Sequence, residues 1–266
     1  MPELTTAETP AGADDADRLV RWEGPPIPNQ KPTGGPWPVR FYRSQVGKKW
    51  VMAVTGIIMI GYVVAHAVGN LKLYTGEEAF NNYADFLRHF LYPILPESGF
   101  LWLMRPILLL ALIFHVHAAA SLTIQNRKAR TATYKSHREY IAANFASRSM
   151  RWTGVIIFLF IVFHILDLTV GSANPDFEHG AAYNNLVLSL ERPAVAAIYI
   201  VANLALGIHL FHGAWSMFQS LGWNSPRFNP ARRWIAWAIG AFVIVVNLSF
   251  PITILAGWVT PEGLRF

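Results

Sequence analysis

The chain holds nine histidines, and six of them fall inside long apolar stretches: His66, His115, His117, His164, His209 and His212. His137 and His179 lie between such stretches, and His89 sits near the end of a shorter amphipathic one; these three read as solvated side chains. Ionisable groups at membrane depth are costly to desolvate and mark functional sites. One alone would read as a helix–helix hydrogen bond. Six over four consecutive stretches call for a shared task. Neutral imidazole is a ligand for iron, and two imidazoles from facing helices satisfy the axial positions of a haem iron. The chain has no cysteine. That excludes disulfides, thiolate zinc sites, cysteine-ligated iron–sulfur clusters, a cysteine nucleophile and covalent c-type haem attachment.

The elements that must position these histidines are apolar. Five stretches, at 48–70, 101–125, 151–171, 193–219 and 233–258, each approach the ~20 residues a helix needs to cross the hydrocarbon core. Of the 266 residues 14% are charged and 53% hydrophobic, whereas an ordinary soluble domain is roughly 25% charged. The fold class that follows is an all-α membrane protein of five transmembrane helices, the first four forming a haem-binding bundle. Gly56, Gly61, Gly154, Gly207 and Gly213 lie within the spans, where small residues permit close approach of a helix or a flat cofactor. Residues 1–38 are rich in proline and lack apolar periodicity, so they read as a disordered cytoplasmic tail without a signal-peptide pattern. Residues 39–266 form the five-helix cytochrome b domain. Glu77 to His89 has apolar positions at helical spacing and reads as an amphipathic helix at the outer interface.

Sidedness comes from lysine and arginine. The tail to residue 49 and the loops around 126–151 and 220–233 carry 17 of the 22 basic residues. That side is expected to be cytoplasmic, with the N-terminus in and the C-terminus out. The formal charge of +6 is thus a topology and headgroup signal rather than a nucleic-acid footprint. The basic loop 126–150 reads equally as headgroup contact and as a docking surface for a soluble partner.

Depth sorts the histidines. At ~1.5 Å per residue, His66 lies about 7 Å, and His164 about 11 Å, from the outer ends of the first and third stretches. His115 and His209 lie roughly 21–25 Å from the outer ends of the second and fourth. The chain therefore offers an outer pair and an inner pair at levels about 14 Å apart, the arrangement of two stacked b haems. His115 and His117 point ~200° apart on a helix and cannot share one iron. His209 and His212 share a face. Spacing alone leaves His115 or His117, and His209 or His212, open.

Several blocks, in this order, resemble a known family. They are Arg43-Ser44 with Gly47-Lys48-Lys49, then His66-Ala67-Val68-Gly69-Asn70-Leu71, then Ala79-Phe80-Asn81-Asn82-Tyr83-Ala84. Leu122-Thr123 with Asn126-Arg127-Lys128-Ala129-Arg130 follows, then His164-Ile165-Leu166-Asp167-Leu168-Thr169, and His209-Leu210-Phe211-His212-Gly213-Ala214-Trp215-Ser216 running to Gln219-Ser220-Leu221-Gly222. From about residue 41 to 258 the chain resembles the single-chain, five-helix, two-haem cytochrome b anchor of succinate dehydrogenase and fumarate reductase. The resemblance implies that His66 and His164 ligate the haem distal to the catalytic subunits, and that His115 and His209 ligate the proximal one. His117 and His212 are additional histidines beside those positions and stand as alternatives.

The resemblance further implies a succinate:menaquinone oxidoreductase of the respiratory chain and tricarboxylic acid cycle, in a bacterial cell membrane. A flavoprotein with FAD and an iron–sulfur subunit would dock on the cytoplasmic face. Electrons would pass from the iron–sulfur subunit through two b haems to menaquinone, and an oligomer of the whole complex is compatible with this. The chain is then the electron-transferring, quinone-reducing subunit of an enzyme whose succinate chemistry lies elsewhere. Glu77, Glu78, Asn81 and Tyr83 are candidates for a quinone site but read better as a polar helix face; Asp167 is expected near a propionate or the headgroups, and Lys72 near a propionate. Two rival readings are an anchor of another respiratory dehydrogenase or hydrogenase, and a histidine-relay transporter. The latter would show internal repeats, and none is evident at the scale of helices.

Overall fold

A computed structural model describes residues 35–128 and 141–265, with side chains from residue 149 onward in the second segment. Most of the proline-rich tail, His137 and the centre of the basic loop lie outside the described residues. The chain divides into two units, Met1–Arg40 and Phe41–Phe266. The described part of the first holds the opening turn of helix α1 (Trp37–Arg43).

Five helices in the second unit are long and apolar enough to cross a membrane. They lie in α2 (Gln45–Asn70), α4 (Gly99–Lys128), α5 (Ile141–Ile165), α7 (Pro193–Ser220) and α8 (Asn229–Leu255). Ser44 caps α2, its hydroxyl accepting from the Gly47 N–H at 2.9 Å. Pro193 opens α7 at a position where its missing N–H costs nothing. A 3₁₀ turn at Leu71–Thr75 and helix α3 (Glu77–His89) follow α2. Glu77 and Glu78 in the first turn of α3, and Arg88 and His89 in its last, suit the helix dipole.

Helix α2 packs on α4, α7 and α8, and α7 packs on α5 and α8 as well. Helix α7 is thus the hub. Its crossing with α8 is close: a Cβ on Gly207 would overlap the Ile244 side chain, and one on Gly240 would lie 3.0 Å from the Gly207 carbonyl. Where lipid removes the hydrophobic drive between helices, such close contact supplies the attraction. The outward faces carry exposed Ile, Leu, Val and Phe. Trp50, Trp152, Trp223 and Trp234 stand exposed at the basic end, and Trp102 and Trp258 at the opposite end, as interfacial tryptophans do.

The densest packing lies at the end remote from the basic loops. Helix α6 (Ala182–Glu191) places Tyr183, Leu186, Val187 and Leu190 in a cluster with Leu73, Phe80, Tyr199, Phe250 and Val259. These four residues of α6 have full helical spacing, so this helix is legible in the sequence although it is too short to span a membrane. Helices α3 and α6 are joined by polar contacts: Asn81 Oδ1 accepts from the Tyr183 N–H, and Glu77 Oε1 from Asn184 Nδ2, each at 3.0 Å. The Tyr183 hydroxyl donates to the Thr260 carbonyl at 3.0 Å, and burial, then the Glu77 carboxylate, push this phenol up. A two-stranded ladder, β1 (Val259–Thr260) with β2 (Gly263–Leu264), completes the cap.

Arg232, counted above with the basic side, does not face headgroups. It is 3% exposed and lies over the Trp215 ring at 4.5 Å, a cation–π contact. A Gly240→Leu substitution should wedge α7 from α8 and cost roughly 1–3 kcal/mol. The expected result is a lower thermal midpoint of the detergent-purified protein, with Gly61→Leu, where a Cβ meets nothing within 4 Å, as the harmless comparison.

Candidate functional site

The four-helix group of α2, α4, α5 and α7 brings four histidines together in two pairs. The rings of His66 (α2) and His164 (α5) are centred 6.0 Å apart with planes at 81°. Those of His115 (α4) and His209 (α7) are centred 6.4 Å apart at 56°. Metal–imidazole bonds of about 2 Å, plus about 1 Å from each nitrogen to its ring centre, would set the centres roughly 6 Å apart across a shared ion. Each pair therefore has a ring separation that would suit one metal ion between two imidazoles. Among the described residues no group of three or more His, Asp or Glu is arranged for a metal ion, so two protein ligands per centre is what this arrangement offers.

The histidine tautomers follow from their partners. His115 Nδ1 lies 3.1 Å from the Met52 carbonyl and 3.2 Å from Thr55 Oγ1. A carbonyl only accepts, so Nδ1 carries the proton. The Thr55 hydroxyl donates to the Val51 carbonyl at 2.7 Å, leaving its lone pair for the imidazole. His209 repeats this: Nδ1 lies 3.1 Å from Thr153 Oγ1 and also bonds the Met150 backbone, while Thr153 donates to the Ser149 carbonyl at 2.8 Å. A Cβ on Gly56 or on Gly154 would lie 3.7 Å from Cε1 of the adjoining ring in each case. Fixing the proton on Nδ1 leaves Nε2 as a lone-pair donor toward the opposite ring.

Behind this equivalence is a short echo in the sequence, Met52-Ala53-Val54-Thr55-Gly56 and Met150-Arg151-Trp152-Thr153-Gly154. It is confined to five residues in each helix and is the one sequence signal that points to both threonines.

His164 has a different backing. Its Nδ1 lies 3.2 Å from the Tyr199 hydroxyl, which donates to Asp167 Oδ2 at 2.8 Å. Asp167 sits on a π-helical turn, Leu166–Val170, that closes α5. It is fully buried, so it does not lie at the headgroups as its position near the helix end suggested. Ser189 Oγ donates to Oδ2 at 2.6 Å, and Arg192 Nη2 pairs with Oδ1 at 2.8 Å. His66 stacks on Tyr62 with ring centres 5.5 Å apart.

The other described histidines are not brought into the pairs. His117 points away from His115, and its Nδ1 bonds the Tyr42 hydroxyl, whose ring stacks on it. His212 lies beside the Phe211 ring, with centres 4.9 Å apart. His89 is exposed and bonds the Asp85 carbonyl at 3.1 Å, and His179 is exposed beside Phe177. Of the polar residues weighed for a quinone site, Glu77 and Asn81 are engaged in joining α3 to α6, Tyr83 packs against Gly69, and Glu78 and Lys72 are exposed.

A family model described as succinate dehydrogenase/fumarate reductase transmembrane subunit matches residues 124–249. The match runs from the last turn of α4 through most of α8 and contains His164, Asp167, Tyr199 and His209. Searches of curated proteins and of solved structures give no match. The family match and the helices agree: over residues 124–249 the chain is similar to the succinate dehydrogenase/fumarate reductase transmembrane subunits, and it has five helices long and apolar enough to cross a membrane.

Proposed function

We propose that the chain is the two-haem cytochrome b anchor of a succinate:menaquinone oxidoreductase, with one haem b between His66 and His164 and a second between His115 and His209. The observation that carries this reading is the pair of facing imidazoles at 6.0 and 6.4 Å, three of the four having Nδ1 within hydrogen-bonding reach of a protein acceptor. The family match and the resemblance of the sequence blocks support the same assignment. Haem b would supply a one-electron centre at each level, between an iron–sulfur partner on the cytoplasmic side and menaquinone.

The chain's own residues do the holding. The Met52 carbonyl with Thr55, and Thr153 with the Met150 backbone, keep His115 and His209 in the tautomer whose Nε2 is a donor. Tyr199 does so for His164. In this reading His117, bonded to Tyr42, and His212, beside Phe211, are not ligands. The exposed apolar flanks of α2, α4, α5 and α8 exclude water from the paired rings by placing them in lipid. Without cysteine, the chain leaves iron–sulfur ligation to a partner subunit and FAD to a flavoprotein. The excess of Lys and Arg on one side supports a cytoplasmic N-terminus and docking face and an outside C-terminus, and the reading sets the chain in a bacterial cell membrane.

A reduced-minus-oxidised optical spectrum of the purified complex, with haem extracted and counted, is expected to show two b-type haems per chain. His66→Leu and His164→Leu should each remove the same haem and leave the other, while His117→Leu should retain two. No b-type absorption in the parent complex, or loss of neither haem from these variants, would reject the assignment. Where menaquinone is the acceptor, the membrane potential contributes about 2.3 kcal/mol per charge per 100 mV. Collapse of that potential in intact cells should then slow succinate-dependent respiration; an unchanged rate speaks against coupling.

A further inference from the structure

Asp167 is fully buried and pairs with Arg192 at 2.8 Å. A buried carboxylate–guanidinium pair is often no more stabilising than well-packed apolar side chains of the same size, and at membrane depth it is rare outside functional sites. The π-helical turn at Leu166–Val170, a deviation that recurs at functional positions, accompanies this burial of Asp167. Three elements then converge on its two oxygens: α6 through Ser189, the α6–α7 junction through Arg192, and α7 through Tyr199. Arg192 is itself fixed by the Ala173 and Ser189 carbonyls at 3.1 and 3.2 Å.

The direction of the hydrogen bonds follows from proton count. An ionised carboxylate accepts only, and a tyrosine hydroxyl has one proton. Tyr199 gives that proton to Asp167 Oδ2 at 2.8 Å, so toward His164 Nδ1, 3.2 Å away, its oxygen is the acceptor. The Nδ1–H of His164 thus enters a chain that ends on a carboxylate, itself paired with Arg192. His115 and His209 differ: their Nδ1–H groups end on backbone carbonyls and threonine hydroxyls, which are neutral. Charge-assisted hydrogen bonds are about twice as strong as neutral ones, and a carboxylate behind a ligating imidazole raises its basicity and fixes its ring. A more basic axial ligand favours the ferric over the ferrous ion.

We propose that Tyr199 and Asp167 are positioning residues for His164, orienting its ring and lowering the reduction potential of the one haem it shares with His66. The inference rests on the two-haem reading above and adds to it a cause of inequality between the two centres. It assigns no role to either residue in contact with quinone or with the iron.

The test is an optical redox titration of the purified complex, together with the low-spin haem signals in its electron paramagnetic resonance spectrum. Tyr199→Phe keeps the ring, Asp167, Ser189 and Arg192 and removes only the hydroxyl. It is expected to retain two haems, to shift one midpoint potential upward and to move that haem's g-values, leaving the other haem as in the parent. The haem that shifts should be the one lost from His66→Leu. Asp167→Asn, which removes the charge but retains an acceptor for Tyr199, should shift the same haem upward. A Tyr199→Phe complex with both haems whose potentials and g-values match the parent overturns the proposal, as does an equal shift of both haems. Absence of haem from the parent complex would instead defeat the two-haem reading itself, so the two failures are told apart by which protein shows them.

Discussion

An imidazole in the hydrocarbon core has two nitrogens to satisfy and no water to help. This constraint organises much of the molecule. Nδ1 of three core histidines is met by a protein acceptor, and the acceptors are the reason for otherwise unremarkable features: a threonine in mid-helix at Thr55 and at Thr153, and a π-helical turn that carries Asp167 inward. With Nδ1 so engaged, Nε2 is left facing a second ring about 6 Å away, centre to centre. The arrangement that satisfies a polar group in lipid is also the one that the proposed haem ligation would use.

Helix α7 carries the consequences furthest. It holds His209 for the inner pair and Tyr199 for the outer one, and Asn203 accepts from Asn247 of α8 at 2.8 Å between those levels. The Gly207–Gly240 crossing lets α8 approach α7 closely, so the hub is braced on the side away from the histidines. At the far end, α3, α6 and the short β ladder form an apolar cap over the Asp167 group. Shielding a carboxylate in this way strengthens its hydrogen bonds and also makes any unpaired member of the group destabilising. The cap and the polar group are therefore two halves of one device.

The two histidine pairs are alike in separation and unlike in what stands behind them. The inner pair is built from an echoed five-residue segment and ends on neutral groups; the outer pair has Tyr199, a carboxylate and an arginine behind one member. The chain has five helices long and apolar enough to cross a membrane, and over residues 124–249 it is similar to the transmembrane subunits of an oxidoreductase complex. In the two-haem reading proposed above, this difference would give the two centres unequal potentials.

By itself the sequence determined what periodicity and residue type control. Low charge and five apolar stretches dictate membrane helices, because lipid accepts only backbone that is bonded within the segment. Counting residues at a fixed rise pairs His66 with His164 and His115 with His209 in depth, since a straight helix converts sequence position into height. Height is not azimuth, however. Whether His115 or His117, and His209 or His212, turns toward a partner depends on how α4 and α7 are rotated in the bundle. That rotation is set by packing, such as Tyr42 against His117 and Gly207 against Ile244. The groups behind the histidines were hidden for the same reason. Asp167, Ser189, Arg192 and Tyr199 are scattered over 33 positions, and only the meeting of α5, α6 and α7 makes them one network.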